Sequence, residues 1–216
     1  MTPLLLAIDS DGFPARWLTW QEAIVDERLG KFAYGFGDYE FTFRGGTNRY
    51  TGMQSRIELK SILVLKGRTP EACKHATVAL TNEALFRRDR NMCAYCGKVG
   101  LRGLTRDHIK PLSRGGLDTW QNCCSCCMSC NAAKGSHTLG ELGWELLYVP
   151  YAPSHQEGLI LQNRQILADQ MELLKAMLPK HSRLTSQIAG RAETCFDPLS
   201  LSGIMAPRRS HLCPPS

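Results

Sequence analysis

Residues 105–135 read TRDHIKPLSRGGLDTWQNCCSCCMSCNAAKG. This stretch combines an aspartate-histidine pair, a glycine-rich turn and five of the chain's ten cysteines. A separate pair, Cys93 and Cys96, lies just upstream in CAYCG. Two C-x-x-C pairs are typical of tetrahedral zinc sites, because each pair forms a tight turn that presents two thiolates to one ion. The sequence therefore predicts that two cysteine pairs clamp one metal ion.

The second cysteine pair has three possible registers. Gly97 follows the first pair and permits a tight backbone turn there, so that pair is unambiguous. In the second cluster, the required spacing is met by Cys123/Cys126, by Cys124/Cys127 and by Cys127/Cys130. Spacing alone does not choose among these three.

The first residues bear on the redox state of these cysteines. The start, MTPLLLAIDSDG, has no basic segment and only a short apolar run, so it does not resemble a signal peptide. No apolar run approaches the length of a membrane span. We therefore expect a cytoplasmic protein without a membrane segment, in which clustered cysteines bind metal. A disulfide knot or a redox centre is the less favoured alternative.

Positive charge is concentrated around the cysteine clusters. The chain has a formal net charge of +6, with 26 Lys or Arg and 20 acidic residues. Between Leu85 and Gly135 there are nine Lys or Arg and three acidic residues, which leaves 17 of each sign elsewhere. A local positive field predicts a polyanionic partner such as DNA. An ordinary solvated basic face is the alternative.

Elements of both kinds are predicted on either side of the clusters. TWQEAIVDERLG predicts a short helix with Thr19 and Glu22 as a capping box and Gly30 at its end. YEFTFR and SRIELKSILVLKG predict strands, separated by turn residues in RGGTNR. Further helices are expected from Thr81 to Asp89, from about Leu139 and over Gln162–Leu178. The predicted fold class is therefore α+β.

The stretch TRDHIKPLSRGGLDTWQNCC, followed by CMSCNAAKG, resembles the HNH endonuclease family. That family has a ββα-metal core, also called a His-Me finger. In it the last cysteine pair immediately precedes the final Asn or His of the motif, which here corresponds to Asn131. The resemblance thus implies a structural zinc site made by Cys93, Cys96, Cys127 and Cys130. The extra residues Cys123, Cys124 and Cys126 then fall in and after the second strand, where we expect buried apolar side chains.

The same resemblance implies a catalytic centre. His108 corresponds to the general base, since an imidazole exchanges protons near neutral pH. Asp107 and Asn131 correspond to oxygen ligands of a catalytic Mg²⁺ or Mn²⁺. Asn122 corresponds to the asparagine that ties the intervening loop and so orients the histidine. Phosphodiester hydrolysis needs both a base and a cation.

Two basic side chains are candidates for contacts with DNA phosphates. Arg114 follows the serine of the loop PLSRGG, and Lys134 lies behind it on the expected helix. Simple solvation is the alternative for both side chains. The flanking segments LTWQEAIVDERLGK and HTLGELGWELLYVP also resemble a bacterial and phage branch of HNH proteins, and we expect them to help position DNA.

The predicted organisation has four parts. They are an N-terminal α+β DNA-positioning unit, an HNH nuclease finger, a C-terminal helical extension and a flexible tail, at residues 1–80, 81–140, 141–180 and 181–216.

The predicted function is a metal-dependent DNA endonuclease that leaves 5′-phosphate and 3′-hydroxyl ends, acting as a monomer or homodimer in restriction, phage genome processing or mobility. A non-catalytic zinc-finger DNA-binding module is the main alternative, although binding alone requires neither Asp107 nor His108. A zinc redox sensor that uses the extra thiols is a third possibility.

Overall fold

The computed structural model describes residues 3–70, 74–75, 77–100, 103–163, 165–180, 182–185 and 208–209. The chain divides into two compact units. The first contains the described residues of Met1–Lys74, Asn163–Met177 and Glu193–Ser216, and the second those of His75–Gln162 and Leu178–Ala192. Most of the tail predicted at 181–216 lies outside the described residues. Among those described, no helix has the length and apolar character needed to cross a bilayer.

Helices and strands both occur, which confirms a mixed α+β class. The strands are β1 (Leu5–Ile8), β2 (Pro14–Leu18), β3 (Phe32–Thr47), β4 (Gln54–Leu65), β5 (Thr105–His108), β6 (Cys123–Cys126) and β7 (Arg208–Arg209). The helices are α1 (Trp20–Arg28), α2 (Asn82–Arg88), α3 (Met128–Lys134), α4 (Leu139–Leu142), α5 (His155–Gln162) and α6 (Ala168–Ala176).

A sheet of order β2-β1-β4-β3-β7 forms the first unit. Strand β1 pairs antiparallel with β2 and parallel with β4, and β3 pairs antiparallel with β4. The apolar run that opens the chain is therefore a central strand, and all four residues of β1 are buried. We did not predict β1 or β2, because a four-residue apolar run carries no periodicity that distinguishes a strand from a helix.

Helix α1 begins where the sequence predicts. Thr19 Oγ1 accepts a hydrogen bond from the Glu22 N–H at 3.3 Å, and the Glu22 carboxylate accepts one from the Thr19 N–H at 2.8 Å. This reciprocal pair satisfies two N–H groups that have no partner within the helix. Trp20, the first helical residue, stacks on Phe43 of β3 with ring centroids 5.5 Å apart. The core of the unit consists of Leu5, Ala7, Leu18, Ala23, Phe32, Phe41, Phe43, Leu59 and Leu63.

Strands β3 and β4 form a long ribbon whose far end is exposed. Both predicted strands fall on it, although β4 ends at Leu65 and not at Gly67, and β3 continues through the glycine pair that we predict as a turn. The turn follows instead at 48–53, where Asn48 Oδ1 accepts hydrogen bonds from the N–H groups of Tyr50 and Thr51 at 2.8 and 3.0 Å. Residues 44–56 are all exposed.

The helix predicted over Gln162–Leu178 is wrong at its start. Gln162 ends α5, and α6 covers only Ala168–Ala176. Asn163 Oδ1 accepts a hydrogen bond from the Gln165 N–H at 2.9 Å, which offers the backbone a turn in place of a helix. Gln170 Oε1 then accepts one from the Leu167 N–H at 3.1 Å, so α6 has its own start.

The second unit is built on a short hairpin followed by a helix. Strands β5 and β6 pair antiparallel, and α3 begins two residues after β6 ends. Thr81 caps α2 by accepting a hydrogen bond from the Ala84 N–H at 3.1 Å, as predicted. Thr138 caps α4 in the same way, and this helix is only one turn long. The four-part division predicted from the sequence stays a prediction.

Candidate metal and catalytic centre

Four thiols converge beside the hairpin. The Sγ atoms of Cys93, Cys96, Cys127 and Cys130 all lie within 4.8 Å of one another. Zinc bound to four thiolates at about 2.3 Å places the sulfurs about 3.8 Å apart. The Sγ atoms of Cys96 and Cys127 are separated by 3.8 Å. The donor set and its spacing therefore fit a tetrahedral zinc ion.

Local backbone structure brings the two pairs together. After Cys93 the chain turns tightly, since the Gly97 N–H donates to the Cys93 carbonyl at 3.0 Å. Gly97 has a φ of +73°, which a residue with a Cβ rarely adopts. Cys127 is the N-cap of α3, and its Sγ accepts from the Cys130 N–H at 3.5 Å. One sulfur atom thus both caps the helix and belongs to the cluster.

The thiols of the cluster differ in pKa. Hydrogen bonds from the Ser129 hydroxyl and the Cys130 N–H lower the pKa of Cys127 to about 6. Burial raises the pKa of Cys93, but backbone N–H groups, among them that of Cys96, outweigh it and the net shift is downward. Burial and the neighbouring sulfurs raise the pKa of Cys130. A bound cation is therefore needed for all four sulfurs to be ionised together.

The three extra cysteines are buried on β6. Cys123, Cys124 and Cys126 have no exposed surface, and burial raises the pKa of the first two to about 12. Cys124 packs against Ala94 and Tyr148, as expected for a small apolar side chain. Cys123 differs, because its thiol lies 3.2 Å from a carboxylate oxygen of Asp118.

Asp107 and His108 end strand β5 and point to opposite faces of the hairpin. Asp107 is opposite Cys124, and His108 is opposite Cys123. Strand side chains alternate between faces, so these two neighbours meet different surroundings. Asp107 is buried, whereas the His108 side chain is 20% exposed.

Asp118 holds the imidazole of His108. His108 Nε2 lies 2.9 Å from Asp118 Oδ1. Arg106 Nη1 lies 2.9 and 2.8 Å from the two carboxylate oxygens of the same aspartate. Hydrogen bonds from His108, Cys123 and Arg106 lower the pKa of Asp118 to about 2. The ionised carboxylate can only accept, so Nε2 carries the hydrogen, and Nδ1 of the neutral ring keeps its lone pair.

The sequence reasoning missed this role for Asp118. In the sequence Asp118 is one of three acidic residues in the basic segment between Leu85 and Gly135. Its position two residues after the glycine pair gave a signal, because the hairpin loop returns there to the end of β5.

Asp107 lies in a buried polar group on the other face. Lys134 Nζ donates to Asp107 Oδ1 at 3.1 Å and to the His108 carbonyl at 2.8 Å. The Tyr95 hydroxyl donates to Asp107 Oδ2. The Lys134 side chain is only 1% exposed. Its predicted contact with DNA stays a prediction, and this burial does not support it.

Asn131 lies on the same side of the hairpin as Asp107. Its Nδ2 donates to Thr105 Oγ1 at 3.1 Å, and Thr105 and Asp107 share one face of β5. Lys134, one turn later on α3, contacts Asp107 itself. Strand β5 and helix α3 therefore place Asp107 and Asn131 on one side of the hairpin, with His108 on the other face, and the catalytic roles of these three residues stay predictions.

Asn122 ties the loop between the strands. Its Oδ1 accepts from the Lys110 N–H at 2.9 Å, and its Nδ2 donates to the carbonyls of Lys110 and Leu117 at 3.0 and 2.8 Å. A Cβ atom at Gly116 would lie 1.9 Å from the Lys110 carbonyl oxygen, so this loop requires glycine there. These contacts join the two ends of the loop, and the predicted effect of Asn122 on the orientation of His108 stays a prediction.

Arg114 has an acidic partner. Its Nη1 lies 2.6 Å from Glu141 Oε1, and both side chains are more than two-fifths exposed. Exposed ion pairs of this kind contribute little free energy, so a phosphate can compete for the guanidinium. The predicted phosphate contact of Arg114 stays a prediction.

A buried arginine, Arg88, donates hydrogen bonds to backbone carbonyls of the hairpin and its loop. Arg88 donates to both carboxylate oxygens of Asp89 and to the carbonyls of Trp120, Cys123 and Tyr151. Asp89 in turn accepts from the N–H and hydroxyl of Ser125 at 2.8 and 2.9 Å. Arg88 was counted in the basic field of the sequence, but it is fully buried and paired. The accessible positive charge is thus smaller than the count suggested.

Together, the thiol cluster and the hairpin place four possible zinc ligands near a hydrogen-bonded histidine. Residues 93–147 match the model of a family described as HNH endonuclease, so this segment is an HNH domain. The match covers 55 of the 216 residues. Comparisons with curated proteins and with solved structures returned no match. The family resemblance is confirmed for this segment, whereas the bacterial or phage branch stays a prediction.

Proposed function

We propose that the protein is a metal-dependent DNA endonuclease of the HNH type, which hydrolyses phosphodiester bonds to 5′-phosphate and 3′-hydroxyl ends. The observation that carries this proposal is the His108–Asp118 contact at 2.9 Å within the segment that matches the family. A module that only binds DNA has no need of a histidine ordered in this way.

In the proposed mechanism His108 is the general base. Asp118 accepts a hydrogen bond from Nε2–H of His108. The lone pair of Nδ1 is therefore available to take a proton from the attacking water. Arg106 keeps Asp118 in place by contacting both of its oxygens. Asp118 is therefore a positioning residue, because it acts on the substrate only through the imidazole.

Asp107 and Asn131 would hold the catalytic Mg²⁺ or Mn²⁺. A carboxylate and an amide oxygen are donors that these hard cations accept, and both residues lie on one side of the hairpin. The cation supplies charge neutralisation at the scissile phosphate when bound. Lys134 neutralises Asp107 at 3.1 Å, so it prevents an isolated buried carboxylate.

The zinc site would be structural. All four donors are protein thiols, which leaves no open position for a substrate. The proposed His-Me finger then consists of β5, β6 and α3, with the zinc cluster at its base. A small domain of this kind gains folding free energy from the metal.

The ribbon supports a DNA-positioning role for the first unit. Its exposed end, residues 44–56, contains Arg44, Arg49 and Arg56 and no acidic residue. Arg44 and Arg56 are directly opposite each other, and Arg56 Nη2 already lies 2.5 Å from Glu58 Oε1. A two-stranded ribbon is narrow enough to enter the major groove of DNA.

The test is cleavage of supercoiled plasmid with Mg²⁺ or Mn²⁺. We expect His108→Ala to abolish nicking and cutting, while zinc content stays at one ion per chain. His155→Ala is a matched control, because this histidine lies outside the matched segment. Equal cleavage by His108→Ala would remove the base assignment. DNA binding without cleavage under any divalent ion would favour the zinc-finger binding module.

The number of active centres determines whether one chain nicks one DNA strand or cuts both strands. Each chain has one His108, so one chain cuts one strand at a time. Double-strand cuts would require two chains or two encounters. Sequencing the ends produced from a long defined DNA distinguishes these outcomes and reveals any sequence preference.

A further inference from the structure

A second group of metal-binding side chains lies on the His108 face of the hairpin. His108, Asp118 and Cys123 each offer one donor atom, and these atoms lie within 4.8 Å of one another. Nε2 of the imidazole and Sγ of the thiol lie 2.9 and 3.2 Å from Asp118 Oδ1. Nitrogen, oxygen and sulfur ligands of one tetrahedral zinc lie about 3.3–3.5 Å apart, so these donors would need to separate by only about 0.3–0.4 Å to hold an ion with one open position.

We propose that His108, Asp118 and Cys123 form a second, reversible site for a thiophilic divalent cation such as Zn²⁺, and that its occupation switches off the general base. The inhibition of cleavage by this cation rests on the proposed function, whereas the binding of the cation does not. The four-cysteine cluster is separate, because it uses none of these three residues.

The surroundings favour zinc over magnesium. Arg106 Nη1 contacts both oxygens of Asp118, so an incoming cation shares that carboxylate with a guanidinium. Magnesium would find only one oxygen donor here, beside a nitrogen and a sulfur that it accepts poorly. Zinc gains most of its binding free energy from the imidazole and the thiolate.

Binding would change the protonation of the base. A zinc–Nε2 bond forms at the nitrogen that otherwise donates to Asp118, and the ring hydrogen moves through solvent to Nδ1. A zinc–sulfur bond replaces the S–H bond of Cys123, whose proton passes to solvent. Nδ1 then carries a hydrogen and has no lone pair for the attacking water. The cation therefore removes the base without displacing the side chain.

Cys123 is the residue that makes this site distinctive. It lies opposite His108 in the hairpin. The family resemblance leads us to expect a buried apolar side chain at this position. Its neighbour Cys124 is equally buried but points to the opposite face, toward Tyr95. The two cysteines therefore make a matched pair for substitution, since each change to Ala removes one buried thiol from the same strand.

The experiment first measures binding without activity. Protein carrying one zinc per chain is titrated with Co²⁺, which reports thiolate ligation by a charge-transfer absorption band. We expect a band for the wild type and for Cys124→Ala, and none for Cys123→Ala. Zinc retained after the titration is measured to show that Co²⁺ has not entered the four-cysteine cluster. A wild-type protein without the band would overturn the proposal, whether or not it cleaves DNA.

Cleavage with Mg²⁺ is then measured against added Zn²⁺, each variant being compared with its own rate without added zinc. Loss of one ligand should raise the zinc concentration for half inhibition about tenfold or more in Cys123→Ala, and leave Cys124→Ala like the wild type. Identical inhibition of both variants would refute the proposed inhibition through this site. If no variant cleaves DNA, the proposed function fails, and the cobalt band still decides the metal site.

Discussion

The burial of Lys134 leads to a prediction that separates a structural role from contact with DNA. Its side chain is 1% exposed and that of Asp107 is 7% exposed, with Nζ and Oδ1 3.1 Å apart. Lys134→Met keeps the length of the side chain but leaves the buried carboxylate of Asp107 without its ion-pair partner. Removing one partner of a buried ion pair costs about 3–5 kcal/mol. The free energy of unfolding of the second unit should fall by this amount.

The assay is urea unfolding of zinc-loaded protein without added Mg²⁺, followed by zinc release, because the four-cysteine cluster lies in the unit concerned. With a slope of about 2 kcal/mol per molar urea, the midpoint should fall by about 2 M. Adding Asp107→Asn removes the stranded charge, and the double variant should regain about 2 kcal/mol. Lys110→Met, at an exposed loop position, should change stability by less than about 0.5 kcal/mol.

The opposite pattern would refute the reasoning. If Lys134→Met unfolds at the wild-type midpoint but binds duplex DNA more weakly, the ammonium group faces the phosphate backbone as the sequence reasoning supposed. The double variant would then show no coupling with Asp107.

Three other outcomes are expected. Asp118→Asn should lower kcat about tenfold and leave KM nearly unchanged, because it disturbs the imidazole of the base and not DNA binding; an unchanged kcat in steady-state cleavage of a labelled duplex would contradict this. Cys96→Ser should release zinc and unfold the second unit, measured by metal content and circular dichroism, since this exposed residue contributes a sulfur and little packing; a folded, zinc-bound variant would exclude it as a ligand. Arg44→Ala with Arg49→Ala should reduce the slope of log affinity against log salt by about 2, and Lys175→Ala on α6 should not; equal slopes would place DNA elsewhere.

Features fixed by local spacing could be predicted from the sequence. The capping box of Thr19 and Glu22 depends on residues three apart, and it gave the start of α1 correctly. The register of the cysteine pairs was open on spacing, and the family resemblance selected the set whose sulfurs lie together in the structure. Such patterns are readable because the contacts they describe span few residues.

Contacts that depend on tertiary packing could not be predicted. Arg88 and Lys134 look like surface cations in sequence, yet each is buried against a carboxylate. Asp118 meets His108 only because the glycine loop returns to the end of β5. Charge counts treat all these residues alike, since a sequence does not state which side of a strand or helix is covered.

The double use of Cys127 Sγ has a consequence for the life of the protein in a cell. Because the same atom caps the first turn of α3 and would bind the metal, zinc binding should stabilise the helix that carries Asn131. On the proposed function, a freshly synthesised chain would then cleave the genome of its host poorly until it is metallated. The availability of zinc would then control when the enzyme becomes active.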